Sequence, residues 1–139
     1  MGSKAIVAIA CKFDPLHEGH KDHIRKASKL GDPLVVITHP DNIAAQSSKK
    51  GFCYKPLDER VCDLYELPEV DLVVVDCKDT DGTVAELLKV LHPHIFAKGG
   101  DRTPDNMPAN EIEACRKMGC KITYGIGDLL NSSSALVGR

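Results

Sequence analysis

Apolar positions along the chain alternate between two kinds of run. Residues 4–11 (KAIVAIAC) and 33–38 (PLVVIT) are short, rich in β-branched residues and apolar on both faces, as strands covered on both sides in a parallel sheet are. Between them, residues 18–30 place Ile24, Ala27 and Leu30 at steps of three, which predicts a crossover helix stopped at Gly31. The couplet then repeats. Residues 56–67 (PLDERVCDLYEL) predict a helix, 70–76 (VDLVVVD) a strand, 83–91 (TVAELLKVL) a helix and 95–98 a short strand. Residues 108–118 (PANEIEACRKM) predict a further helix with Gly119 just past its end, and 121–124 a fifth strand.

This alternation predicts an α/β protein: a Rossmann-like, doubly wound, five-stranded parallel sheet with helices on both faces, in one domain spanning 1–139. Right-handed crossovers put every strand's carboxyl end on one edge, where such sheets bind ligands. Two irregular segments, 39–55 and 99–107, are expected to be binding loops at that edge.

Composition narrows the partners. A length of 139 residues suits one domain with a real core, and 27 % charged against 42 % apolar residues is ordinary for a globular protein. A formal net charge of -2 provides no broad basic field, so no nucleic acid partner is expected and an anionic ligand must be met locally. The six cysteines, Cys11, Cys53, Cys62, Cys77, Cys115 and Cys120, form no C-x-x-C pair and mostly sit in apolar segments, as buried, reduced thiols of a cytoplasmic protein would. No apolar run approaches the roughly 18 residues of a membrane span, and no signal peptide is evident, so a cytoplasmic location without membrane association is expected.

Chemistry concentrates in residues 13–23 (FDPLHEGHKDH), where the first strand gives way to the first helix. A helical zinc site of the H-E-x-x-H kind needs histidines four apart, whereas His17 and His20 are three apart with Gly19 between them. Neither G-x-G-x-x-G nor G-x-x-x-x-G-K-[ST] occurs, which argues against a dinucleotide fold or a P-loop. Two imidazoles beside the free amides of a helix start would instead donate to phosphate oxygens, with Gly19 allowing close approach.

The segment FDPLHEGH, with its H-x-G-H core, resembles the signature of the nucleotidyltransferase superfamily that contains the cytidylyltransferases and small adenylyltransferases. The segments KKG (49–51), DER (58–60), LPEVDLVVV, KGGDRTPDN and NSSS follow in that family's order and spacing, so the likeness covers nearly the whole chain. KGGD most resembles the nucleotidyltransferase domain of heptose-1-phosphate adenylyltransferase, with glycerol-3-phosphate cytidylyltransferase somewhat more distant. The chain departs from the pattern at Cys11 and Lys12, where the family has a glycine and a small residue.

The resemblance implies transfer of a nucleoside monophosphate from a nucleoside triphosphate, ATP ahead of CTP, to a phosphorylated sugar or polyol, with Mg2+ present and pyrophosphate leaving. It implies catalytic roles for His17 and His20 as donors to phosphate. Asp14 would orient the site or hold magnesium, or else cap the next helix. Lys49 and Lys50 would close over the triphosphate, or else form a solvated loop. Arg60 would grip phosphate with its fork, or else pair with Asp63 along its helix. Lys12, Phe13, Gly19, Lys98, Gly99, Gly100, Asp101 and Arg102 are expected along the nucleotide, and Ser132, Ser133 and Ser134 at its outer phosphates, with an N-cap as the rival role for the serines. A homodimer is expected. The alternative from another class is a nucleotide-binding sensor without turnover, motivated by Cys11 and Lys12. His23, His39, His92 and His94 carry no comparable pattern, although His39 stands at the ligand-binding end of the second strand.

Overall fold

In a computed structural model, residues 5–13, 16–46, 51, 53–99 and 103–126 are described. The elements run β1 (Val7–Ala10), α1 (Glu18–Ala27), β2 (Leu34–Thr38), α2 (Asp41–Gln46), α3 (Leu57–Tyr65), β3 (Leu72–Val75), α4 (Ala85–Leu91), β4 (Ile95–Ala97), α5 (Ala109–Met118) and β5 (Lys121–Thr123). The five strands make one sheet in the order β3-β2-β1-β4-β5, and every pairing is parallel. The α/β, Rossmann-like architecture expected from the sequence is the one observed. β1 lies at the centre, with Val7 opposite both Leu34 of β2 and Ile95 of β4.

Strand alternation sends residues to opposite faces, and two cores result. Val7, Ile9, Leu34 and Val36 pack with Ile24 and Ala27 of α1 and Leu64 of α3. Ala8, Val35, Ile37 and Phe96 pack with Leu87 and Leu88 of α4 and Cys115 of α5. A strand buried on both faces has no room for polar residues, which is why β1 and β2 read as unbroken apolar runs. α1 is amphipathic: Ile24 and Ala27 are buried, Glu18 sits in the first turn, and Arg25 and Lys26 in the last complement the helix dipole.

Three expectations are corrected. The segment after β2 is not wholly irregular, because α2 starts at Asp41, three residues past the end of the strand, with the Ile43 and Ala44 amides donating to the Pro40 carbonyl at 3.1 and 2.9 Å. α1 ends at Ala27, before Gly31, whose absent side chain serves packing: a Cβ there would lie 2.2 Å from the Ala5 carbonyl oxygen. Gly119, by contrast, is the left-handed C-cap expected for α5, with φ 74°. Of the thiols expected to be buried, Cys115 and Cys120 are; Cys62, on the outer side of α3, and Cys77, in the loop after β3, are exposed. Among the described residues, no helix is long and apolar enough to cross a membrane.

Candidate functional site

β1 ends in the middle of the sheet, and the chain then turns into α1 through Cys11, Lys12 and Phe13. Phe13 takes a left-handed backbone, φ 53°, yet its ring is 1 % exposed. That conformation is costly for a bulky residue and persists where its surroundings impose it. The buried ring here meets the His20 ring edge-on, with centroids 5.0 Å apart.

His17 is the N-cap of α1 and forms a reciprocal capping box with His20. The His20 amide donates to His17 Nδ1 at 3.4 Å and the His17 amide to His20 Nδ1 at 3.3 Å. The spacing of three that defeats a zinc helix is what this box requires, since N-cap and N3 are three apart. The two rings stack at 3.7 Å between centroids, 17° from parallel. With each Nδ1 accepting from an amide, a neutral ring carries its proton on Nε2, away from the helix start. His20 Nε2 lies 3.5 Å from Cys11 Sγ. The His20 pKa is lowered to about 4, chiefly by burial and then by the neighbouring His17 and His23. At neutral pH His20 is thus an uncharged donor, boxed between Phe13, His17 and the Cys11 thiol.

Arg60 departs from its expected role. It is 1 % exposed, and its guanidinium is fully engaged with the protein. Nε donates to the Lys55 carbonyl (3.1 Å), Nη1 to the Lys12 carbonyl (2.9 Å) and Thr38 Oγ1 (3.0 Å), and Nη2 to the His39 carbonyl (2.9 Å) and Asp41 Oδ1 (2.7 Å). These bonds use all five guanidinium N–H groups, so the fork ties the loops after β1 and β2 to α3 and offers no free pair of donors to phosphate. Asp63, the alternative partner, accepts instead from Lys55 Nζ at 2.7 Å. Thr38 Oγ1 also donates to the Lys12 carbonyl at 3.0 Å, so Thr38, Asp41 and Arg60 brace the turn leading to His17. Sequence reading passed over Thr38 and Asp41, for which a buried arginine seeking oxygen partners near a sheet edge was the available signal.

β4 pairs directly with β1, which brings Lys98 and Gly99 to the same edge as Cys11 and Phe13. Lys98 is 8 % exposed with its ammonium 4.6 Å above the Phe96 ring, and its amide donates to the Thr123 carbonyl at 2.8 Å. Gly19 lies in the first turn of α1, between the two histidines. The structure therefore gathers Lys12, Phe13, His17, Gly19, His20, Lys98 and Gly99 around the ends of β1 and β4. Asp14, Lys49, Lys50, Gly100, Asp101, Arg102, Ser132, Ser133 and Ser134 lie outside the described residues. His23 reaches the segment that follows β5, its Nδ1–H donating to the Ile126 carbonyl. His92 caps α4 in a left-handed conformation, and His94 Nδ1 accepts from the Ile6 amide at 2.9 Å.

A family model described as cytidylyltransferase-like matches residues 9–123. The bifunctional protein HldE of Pelobacter propionicus is 39 % identical over 114 residues, 80 % of this chain and 22 % of the relative. HldE of Vibrio vulnificus (strain YJ016) is 34 % identical over 106 residues, 76 % of this chain and 21 % of the relative. The chain thus spans about a fifth of the length of these curated relatives. Among solved structures, the lipopolysaccharide core biosynthesis protein from Thermoplasma volcanium GSS1 superimposes with a TM-score of 0.71 at 24 % identity, over 91 % of this chain and 98 % of that one. Pantoate-beta-alanine ligase from Francisella tularensis follows at 0.57 and 15 % identity, over 87 % and 58 % of the two chains. These structural likenesses show the shared fold. With the matched region running from β1 through β5 and enclosing the stacked histidines, the chain belongs to the cytidylyltransferase-like family of nucleotidyltransferases.

Proposed function

We propose that this domain transfers a nucleoside monophosphate from a nucleoside triphosphate to the phosphate of a sugar or polyol, ATP being the favoured donor and CTP the alternative. The observation that carries the reading is the stacked His17–His20 pair at the start of α1, just beyond the end of the central strand. An acceptor phosphate oxygen attacks the α-phosphorus, the bond to the leaving oxygen breaks, and pyrophosphate departs. The nucleophile is already an anion, so alignment and charge stabilisation matter more than a strong base. Nε2–H groups presented by the two rings would meet the oxygens on which charge accumulates.

The KGGD segment, which most resembles the adenylyltransferases, favours ATP and a phosphorylated sugar. Among the described residues no three or more His, Cys, Asp or Glu side chains gather as a metal site. Magnesium enters this proposal with the triphosphate, bound largely by phosphate oxygens and water as it commonly is, with Asp14, which lies outside the described residues, as the protein ligand that the resemblance suggests. The domain is proposed to work as a homodimer, which mass measurement in solution checks.

The test is to incubate the protein with Mg2+, each nucleoside triphosphate in turn and a panel of sugar 1-phosphates and glycerol 3-phosphate, measuring pyrophosphate. Release with one donor and one acceptor class, abolished by chelating the metal, is expected. No release with any pair would replace this reading with a nucleotide-binding sensor.

A further inference from the structure

The chain leaves β5 by a route that touches both the histidine helix and the end of β4. In a regular parallel ladder, the amide and carbonyl of one residue bond positions two apart on the neighbouring strand. The Lys98 amide donates to the Thr123 carbonyl at 2.8 Å, but the Lys98 carbonyl accepts from the Ile126 amide at 2.9 Å, three residues further on. One extra residue is therefore taken up between them, as in a β-bulge, at Gly125 with its left-handed φ of 72°. Ile126 then leaves the ladder. Its carbonyl accepts from His23 Nδ1–H of α1, and its side chain packs against the core that contains Phe13 and Ile24.

His23 stands three residues after His20 on α1, so the two rings share a helix face. A carbonyl oxygen cannot donate, so the His23 proton must lie on Nδ1. That is the opposite tautomer to His17 and His20, whose Nδ1 atoms accept from amides. His23 also bears on the neighbouring donor, since the low pKa of His20 comes from burial first, then His17, then His23. The bond joins residues 103 apart in the chain, which is why no local pattern gave His23 a role. Through Ile126 it links the helix of the histidine pair to the strand that carries Lys98 and Gly99.

We propose that His23 is a positioning residue: by holding the Ile126 carbonyl it fixes the bulge after β5 and, through the Ile126 amide, the Lys98 turn beside the histidine pair. That this turn serves a nucleoside triphosphate rests on the nucleotidyl-transfer reading. Without the bond the Ile126 carbonyl must find water, and a bulge built on glycine, with no side chain to pack, holds the Lys98 carbonyl less firmly. Two substitutions separate the bond from the bulk of the ring. Asparagine can place an N–H where the imidazole places Nδ1–H, whereas leucine fills the same half-buried position without a donor.

The test uses the whole chain and begins without turnover. At pH 8 the 15N signals of His23, assigned by their loss in His23→Leu, are expected to show the proton on Nδ1; a proton on Nε2 overturns the bond. Hydrogen exchange at the Ile126 amide should quicken about tenfold in His23→Leu and return to within about twofold of the native rate in His23→Asn. Unchanged exchange in His23→Leu overturns the latch. Calorimetric titration with ATP and with CTP, each with Mg2+, reads the consequence. The better-bound nucleotide should lose about tenfold in affinity in His23→Leu and no more than about twofold in His23→Asn. Equal affinity in all three proteins, or equal loss in both variants, removes the positioning role. Where turnover is found, the triphosphate KM should rise by the same factor with kcat within about twofold, and a fall in kcat at unchanged KM contradicts the proposal. If the native chain binds neither nucleotide, the proposed reaction and the triphosphate role fall together, while the exchange result still decides whether His23 fixes Ile126.

Discussion

His20 owes its value as a donor to what surrounds it. Burial and two neighbouring imidazoles depress its pKa to about 4, so the ligand-free site keeps a neutral Nε2–H rather than a charge that water would have to solvate. Removing a preorganised donor of this kind costs about a hundredfold or more in turnover. His17→Ala and His20→Ala are expected to lower kcat on that scale while far-UV circular dichroism stays unchanged; unaltered rates would remove the pair from the chemistry. The same residue affects stability with a definite sign. Unfolding returns His20 toward 6.5, so the unfolded chain binds more protons between about pH 4 and 6.5, and the contribution present above 6.5 is lost as the pH falls through that window. Asp76 acts oppositely. Burial first, and then the Asp79 carboxyl, raise its pKa from 3.8 to about 6, so its contribution is present below 3.8 and is lost as the pH rises through 6. Asp76→Asn keeps an acceptor for the Lys78 and Asp79 amides without the charge. It should raise the melting temperature at pH 8 and lose that gain by pH 4, and a gain independent of pH would contradict the assignment.

At the scale of elements, legibility followed the number of faces a segment buries. β1 and β2 are covered on both sides, so their apolar runs identified them, and Gly119 announced the end of α5 because a left-handed cap favours glycine. α2 was hidden: its six residues contain one adjacent buried pair, Ile43 and Ala44, too short a pattern to reveal a helical period. Gly31 was misread for a different reason, since the constraint on it comes from Ala5, 26 positions away in the chain, and nothing local in the sequence encodes that approach. The histidine pair was legible because its motif is local, whereas the five bonds of Arg60 join segments up to 48 residues apart. Substituting the two glycines separates these cases. Gly119→Ala has open space and bears only left-handed strain, about 1 kcal/mol. Gly31→Ala drives a methyl group to 2.2 Å from a backbone oxygen that cannot swing aside, and should cost about 3 kcal/mol or more. Urea denaturation that ranks the two equally would mean that the backbone at Ala5 yields.

For the molecule as a whole, one thin sheet separates two cores, and the question is whether they melt together. Neighbouring residues of the same strands feed opposite faces: Val7 and Ile9 one side, Ala8 the other; Leu34 and Val36 one side, Val35 and Ile37 the other. Loss of either helical layer would bare one face of β1 and β2 to water and remove the apolar burial that keeps those strands in register. Neither core can therefore persist long without its counterpart. Leu64 of α3 and Leu88 of α4, each 0 % exposed, anchor the two sides. Truncating a fully buried leucine costs about 2 to 5 kcal/mol. Leu64→Ala and Leu88→Ala should accordingly each move one common unfolding transition to lower temperature, with tyrosine absorbance and far-UV circular dichroism changing together. The sheet edge that carries the histidine pair depends on this coupling, because α1 and its histidines pack on one face while Asp76, Asp79 and α4 pack on the other. If Leu88→Ala instead produced a first transition that spared α1, the two faces would be separate folding units, and the histidine pair would survive melting of the α4 side.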